Sequence, residues 1–144
     1  MVTDKAVPAP APDHRLLRVV LVDDSTLTRE RTVELLSALD GVSVIGQASN
    51  VNAGLALLQE CRPDVVILDI DMPGVSGLVM LEMVRQQGQA PAIMMLTGLD
   101  HPKLRERCAE LGASHYFCKA TELEKMADVC QSLARAQGDG GTRI

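Results

Sequence analysis

A chain of 144 residues with a net charge of -5 and a pI near 5.1 has room for one domain with a proper core, and it lacks the basic surface that direct DNA binding requires. No apolar run approaches the ~20 residues of a bilayer span, and no charged-then-apolar leader opens the chain, so a cytoplasmic protein without membrane contact is expected. With one Tyr, one Phe and no Trp the core must be aliphatic, and Cys61, Cys108, Cys118 and Cys130 form no C-x-x-C pair, which suits free thiols in a reducing compartment.

Residues 1 to 15, with Pro8-Ala9-Pro10-Ala11-Pro12, show no hydrophobic periodicity and are expected to form a disordered or polyproline-like arm. The first strand, Arg18 to Val22, runs into Asp23-Asp24-Ser25-Thr26. There the Ser or Thr can cap a helix bearing Thr32, Val33, Leu35, Leu36 and Leu39, which Gly41 ends. Val42, Val44 and Ile45 lead into Gly46 as a second strand, and Ala53, Leu57 and Leu58 mark a second helix, weakened by Gly54 and stopped at Arg62-Pro63. Val65 to Leu68 is a β-branched apolar run closed by Asp69-Ile70-Asp71-Met72-Pro73-Gly74, the pattern of a central parallel strand buried on both faces. Asp69 thus falls at a strand's carboxyl end, beside which ligands bind in open α/β sheets.

Ser76-Gly77 opens a third helix with Leu78, Leu81 and Val84 inward, and Gly88 ends it before Pro91. The strand Ala92 to Leu96 finishes on Thr97-Gly98. Leu99 to Lys103 reads as a loop, Leu104 to Leu111 as a helix capped by Gly112, and Ser114 to Cys118 as the last strand, ending at Lys119. From Thr121 a final helix carries Leu123, Met126, Ala127, Cys130, Leu133 and Ala134 on one stripe, with residues 137–144 as a Gly-rich flexible tail. Five strands alternating with five helices predict an α/β fold, a flavodoxin-like doubly wound (βα)5 unit over residues 16–136, with parallel strand order 2-1-3-4-5.

In that order the tips of strands one, three, four and five lie together, so Asp23, Asp24, Asp69, Thr97 and Lys119 should converge. Like charges ~4 Å apart repel by about 4 kcal/mol at an effective dielectric of 20, so three carboxylates there need a cation. A hard divalent ion, Mg2+ (or Mn2+), suits oxygen ligands, with Asp24 bound directly and Asp23 through water. A carboxylate nucleophile, a cation, a lysine and a hydroxyl are together equipped to accept a phosphoryl group on Asp69, its oxygens held by the amides after Asp69 and Thr97. Taken singly, an Asp pair reads as a turn or cap and a lone Lys as solvated. Their joint place at successive strand ends favours the site.

From residue 17 to 136 the chain resembles the receiver domain of bacterial two-component response regulators, of the single-domain chemotaxis-receiver type. The resemblance is carried, in order, by Val22-Asp23-Asp24-Ser25, Leu68 to Gly74 with Gly77, Leu96-Thr97, Gly112-Ala113, Tyr116 and Lys119. It implies that a sensor histidine kinase or histidine phosphotransfer protein phosphorylates Asp69 in a Mg2+-dependent step, with the Asp71 carbonyl as a further metal ligand. It also implies that Thr97 shifts, Tyr116 turns inward, and the face of helix four, strand five and helix five changes for a downstream protein target or a phosphorylation-linked dimer. Ala120 departs from the family's usual proline. The side chains of Asp71 and Leu99, two residues beyond Asp69 and Thr97, are expected to set the lifetime of the phosphorylated state, the one by charge and the other by apolar cover.

By residue type alone Tyr116 beside Phe117 reads as packed core. His14, His101 and His115 have no metal spacing, Met80, Met83, Met94 and Met95 read as core filler, and Lys103, Arg105 and Arg107 as a solvated face. The alternatives are a haloacid-dehalogenase-like phosphohydrolase, from Asp69-x-Asp71, and an unphosphorylated interaction module. Pro73 and the upstream position of the acidic pair count against the hydrolase.

Overall fold

The computed structural model describes residues 16–98 and 100–140. Ten elements alternate along it: β1 Leu17–Val22, α1 Thr26–Ser37, β2 Val42–Ala48, α2 Val51–Cys61, β3 Val65–Leu68, α3 Gly77–Gln86, β4 Ala92–Thr97, α4 Pro102–Glu110, β5 His115–Cys118 and α5 Leu123–Gly140. All strand pairs are parallel and their order is β2-β1-β3-β4-β5, as the alternation predicts. Parallel neighbours need long crossovers, and the helices supply them on both faces.

Because side chains alternate along a strand, each strand feeds both cores. Val20, Val22, Val66, Leu68, Ile93, Met95 and Tyr116 face Val51, Leu58, Met80, Leu81, Val84 and Cys108 of α2, α3 and α4. Leu17, Val19, Leu21, Ile67, Met94, Leu96 and Phe117 face Leu36 of α1 and Met126, Ala127, Cys130 and Ala134 of α5. Met80, Met94 and Met95 are fully buried fillers of this aliphatic interior. The four cysteines are unpaired, and among the described residues no helix is long and apolar enough to cross a membrane.

Local chemistry explains the helix starts: Ser25, Asn50 and Ser76 each accept a first-turn amide, from Thr28, Ala53 and Leu78. His101 caps α4 through its Nδ1, so that helix begins at Pro102, earlier than its apolar residues suggest. Gly46 does not end β2, which runs on to Ala48 after a register shift opposite Val19 and Val20. In α2 the inward residues are Val51, Gly54 and Leu58, whereas Ala53 is exposed. The glycine that lowers helix propensity is there for contact: a Cβ on Gly54 would lie 3.0 Å from Val22 and 3.1 Å from Met80. At the other end of the chain α5 starts at Leu123, after a turn on Cys118, and continues to Gly140, past the point where glycine content predicts a flexible tail. The predicted arm and residues 141–144 lie outside the described residues.

Candidate phosphoacceptor site

Register brings the acidic residues together. Val22 pairs with Leu68, and the ladder continues one residue further, the Asp23 amide donating to the Ala48 carbonyl at 2.9 Å and the Asp69 amide to the Val22 carbonyl at 2.9 Å. Asp23 and Asp69 therefore emerge side by side, only 5% and 3% exposed, while Asp24 stays open to solvent. A carboxylate oxygen from each of Asp23, Asp24 and Asp69 lies within 4.8 Å of the others, a spacing and an all-oxygen donor set that fit a hard divalent cation.

Lys119 closes the group. Its Nζ lies 2.8 Å from Asp23 Oδ2 and 3.2 Å from Asp69 Oδ2. The strand pair Thr97 with Cys118, and the Lys119 amide donating to the Thr97 carbonyl at 2.8 Å, fix the lysine's approach from β5. Thr97, at the tip of β4, is fully buried. The Asp71 amide donates to Asp69 Oδ1 at 3.3 Å, while the Asp71 side chain is exposed beside the site. Leu99 lies outside the described residues.

Burial, then the neighbouring Asp23 charge, push the Asp69 carboxyl up to about 6, against the pull of Lys119 and the Asp71 amide. Burial alone would lower the Lys119 ammonium, but hydrogen bonding and charge pairing with Asp23, and then with Asp69, carry it above its ordinary value. The site thus holds more negative charge than one lysine balances. A second cation would relieve it.

Three supports surround the strand-end residues. Arg29, one turn into α1, reaches back to donate to the Asp23 carbonyl, and the Ser25 amide donates to Asp23 Oδ1 at 2.8 Å, so the acidic turn is braced from both sides. Gly77 allows the loop after Asp69 to close: a Cβ there would sit 1.9 Å from the Asp69 carbonyl oxygen. Arg105 is not merely solvated, since its guanidinium lies over the Tyr116 ring, 4.4 Å from the centroid. The motifs in the chain include Ser25 and Gly77 without revealing what either touches, whereas residue type and position give no sign of the Arg29 and Arg105 contacts.

A doubly wound sheet carrying an acidic cluster and a lysine at its carboxyl edge defines an α/β domain of receiver type. The chain belongs to the response regulator receiver domain family of bacterial two-component systems, whose family model matches residues 19–131. It is 37% identical over 120 residues to an uncharacterized response regulatory protein of Vibrio cholerae, a match covering 83% of this chain and 49% of that one. It is 33% identical over 133 residues to a protein-glutamate methylesterase/protein-glutamine glutaminase of Koribacter versatilis, covering 88% of this chain and 36% of the relative. Among solved structures, the signal receiver domain of the putative response regulator NarL from Mycobacterium tuberculosis superposes with a TM-score of 0.77 at 29% identity, covering 84% of this chain and 98% of that one. The chain thus spans half or less of these curated relatives' length.

Proposed function

We propose that this chain is a phosphorylation-dependent switch that accepts a phosphoryl group on Asp69 from a sensor histidine kinase or a histidine phosphotransfer protein. The observation that carries the reading is the buried Asp69 carboxylate, tied to Lys119 and set beside Asp23 and Asp24 at the sheet's carboxyl edge. An Asp69 oxygen attacks phosphorus as the bond from phosphorus to the donor's imidazole nitrogen breaks, and that nitrogen keeps the electron pair. Lys119 Nζ, already bound to Asp69 Oδ2, stands ready to pair with negative charge spreading onto the phosphoryl oxygens, to which the Thr97 hydroxyl and the amides following Asp69 and Thr97 would donate. Mg2+ (or Mn2+), held by Asp23, Asp24, Asp69 and the Asp71 carbonyl, would neutralise that charge further.

The downstream event is a change in the face built by α4, β5 and α5, read by a protein target or a second copy of the chain. The free thiols suit a cytoplasmic setting. Asp71 and Leu99 set how long the acyl phosphate lasts. The test is incubation with acetyl phosphate followed by mass spectrometry. One phosphoryl group per chain is expected, on Asp69, abolished by chelator and in Asp69→Asn. Multiple turnovers of a phosphomonoester would instead make the protein a hydrolase.

A further inference from the structure

Arg105, near the middle of α4, gathers the groups that border Tyr116. Besides stacking on the ring, its Nη1 donates to the Tyr116 carbonyl at 3.2 Å. Its Nη2 lies 3.8 Å from Asp100 Oδ1 and 3.7 Å from Glu122 Oε1, and that same Glu122 oxygen accepts the Cys118 amide at 2.9 Å. Tyr116 as a whole residue is only 8% exposed. One side chain thus spans the approach to α4, the middle of β5 and the start of α5. A planar guanidinium suits this work, because its face stacks on an aromatic while its edge donates in several directions; a lysine ammonium does not combine the two.

We propose that Arg105 is a latch that holds the Tyr116 ring closed against α4 whatever the state of Asp69, so that ring position on this face is set by Arg105 and not by the acceptor. The inference rests on the proposed switching of the α4, β5 and α5 face, and it assigns a chain-specific control to it. These anchors belong to the output face itself. Phosphorylation therefore acts on a ring already in place, and loss of Arg105 would make ring closure depend on the acceptor.

Tyr116 is the single tyrosine of a chain without tryptophan, so intrinsic fluorescence reports on it alone. Acrylamide quenching is measured on the full chain, with and without magnesium and beryllofluoride. Wild type should be weakly quenched to the same extent in both. Losing a partly desolvated cation–π contact should raise the ratio of open to closed ring by roughly five- to thirtyfold. Arg105→Gln should therefore be strongly quenched alone and protected again by beryllofluoride, with Arg105→Lys in between. Arg105 is half exposed, and circular dichroism checks that the variants fold. If Arg105→Gln proves unfolded, Glu122→Gln, which removes one anchor of the guanidinium, should give a smaller rise in the same direction. Equal quenching of a folded Arg105→Gln and wild type, or a fall in wild-type quenching when beryllofluoride binds, would overturn the latch. The beryllofluoride adduct is followed separately by native mass spectrometry. Absence of a magnesium-dependent adduct would sink the acceptor reading, whereas the comparison of the two proteins without beryllofluoride would still decide the latch.

Discussion

Replacing Asp69 by Asn should stabilise the metal-free protein while abolishing the phosphorylation proposed for that residue. The carboxyl is held near 6, against 3.8 for an ordinary aspartate, chiefly by burial and then by Asp23. A group whose folded value lies above its unfolded value favours folding at low pH and loses that contribution as pH rises through the folded value. Between pH 4 and 6 the wild type must therefore give up stability to keep Asp69 ionised in the fold. Integrated over that shift, the loss is about 3 kcal/mol at pH 7.5 and about 1 kcal/mol at pH 4.5. Asn fills the same space and still accepts the Asp71 amide, and Lys119 keeps Asp23 at 2.8 Å, so no new orphan charge is created. Thermal melts in chelator should put Asp69→Asn above wild type by roughly 6–12 °C at pH 7.5, narrowing markedly toward pH 4.5. Magnesium should close the gap at neutral pH by stabilising the wild type preferentially. A variant no more stable than wild type at pH 7.5, or an advantage that does not shrink on acidification, would refute the view that a desolvated, over-charged carboxylate is stored at this strand end.

Lys119→Met removes the cation shared by two buried carboxylates and should cost about 3 kcal/mol in chelator, with part of the loss recovered in magnesium; a deficit indifferent to magnesium would count against a common charge site. Gly77→Ala and Gly74→Ala form a contrast that urea titration can read. A Cβ at Gly77 meets the Asp69 carbonyl at 1.9 Å and should cost at least about 2 kcal/mol, with acetyl phosphate labelling lost, whereas Gly74 has open space and a φ of +83°, so only the left-handed backbone penalty of about 1 kcal/mol applies. Arg85 donates to the carbonyls of Gly112, Gln89 and Pro91, and Arg85→Ala should cost about 2 kcal/mol and speed hydrogen exchange at the α3–β4 and α4–β5 connections while leaving Asp69 labelling unchanged.

The order of elements and the acidic tips of β1 and β3 were legible because they rest on local rules: apolar runs of strand length, capping side chains at Ser25 and Ser76, glycine at helix ends. Alternation of strands and helices leads to a parallel doubly wound sheet, the flavodoxin-like pattern supplies the 2-1-3-4-5 order, and that order brings Asp23, Asp24, Asp69 and Lys119 together. The reading was least complete where local and tertiary demands conflict. Gly46 looks like a strand end and Gly54 like a weak point in its helix, but in the fold they are sites of close approach, to Leu57 and to Val22 and Met80. Gly138 to Gly140 look like a tail and continue a helix.

Which groups meet at the sheet edge follows from where the apolar runs end, because every strand of a parallel doubly wound sheet delivers its carboxyl end to the same edge. Only the tertiary structure decided how those groups are held. The Arg29 brace on the acidic turn, the missing Cβ beneath Asp69 and the Arg105 stack on Tyr116 join residues six to eleven apart, and their angstrom-scale geometry depends on how turns and side chains pack, which residue type and spacing do not encode.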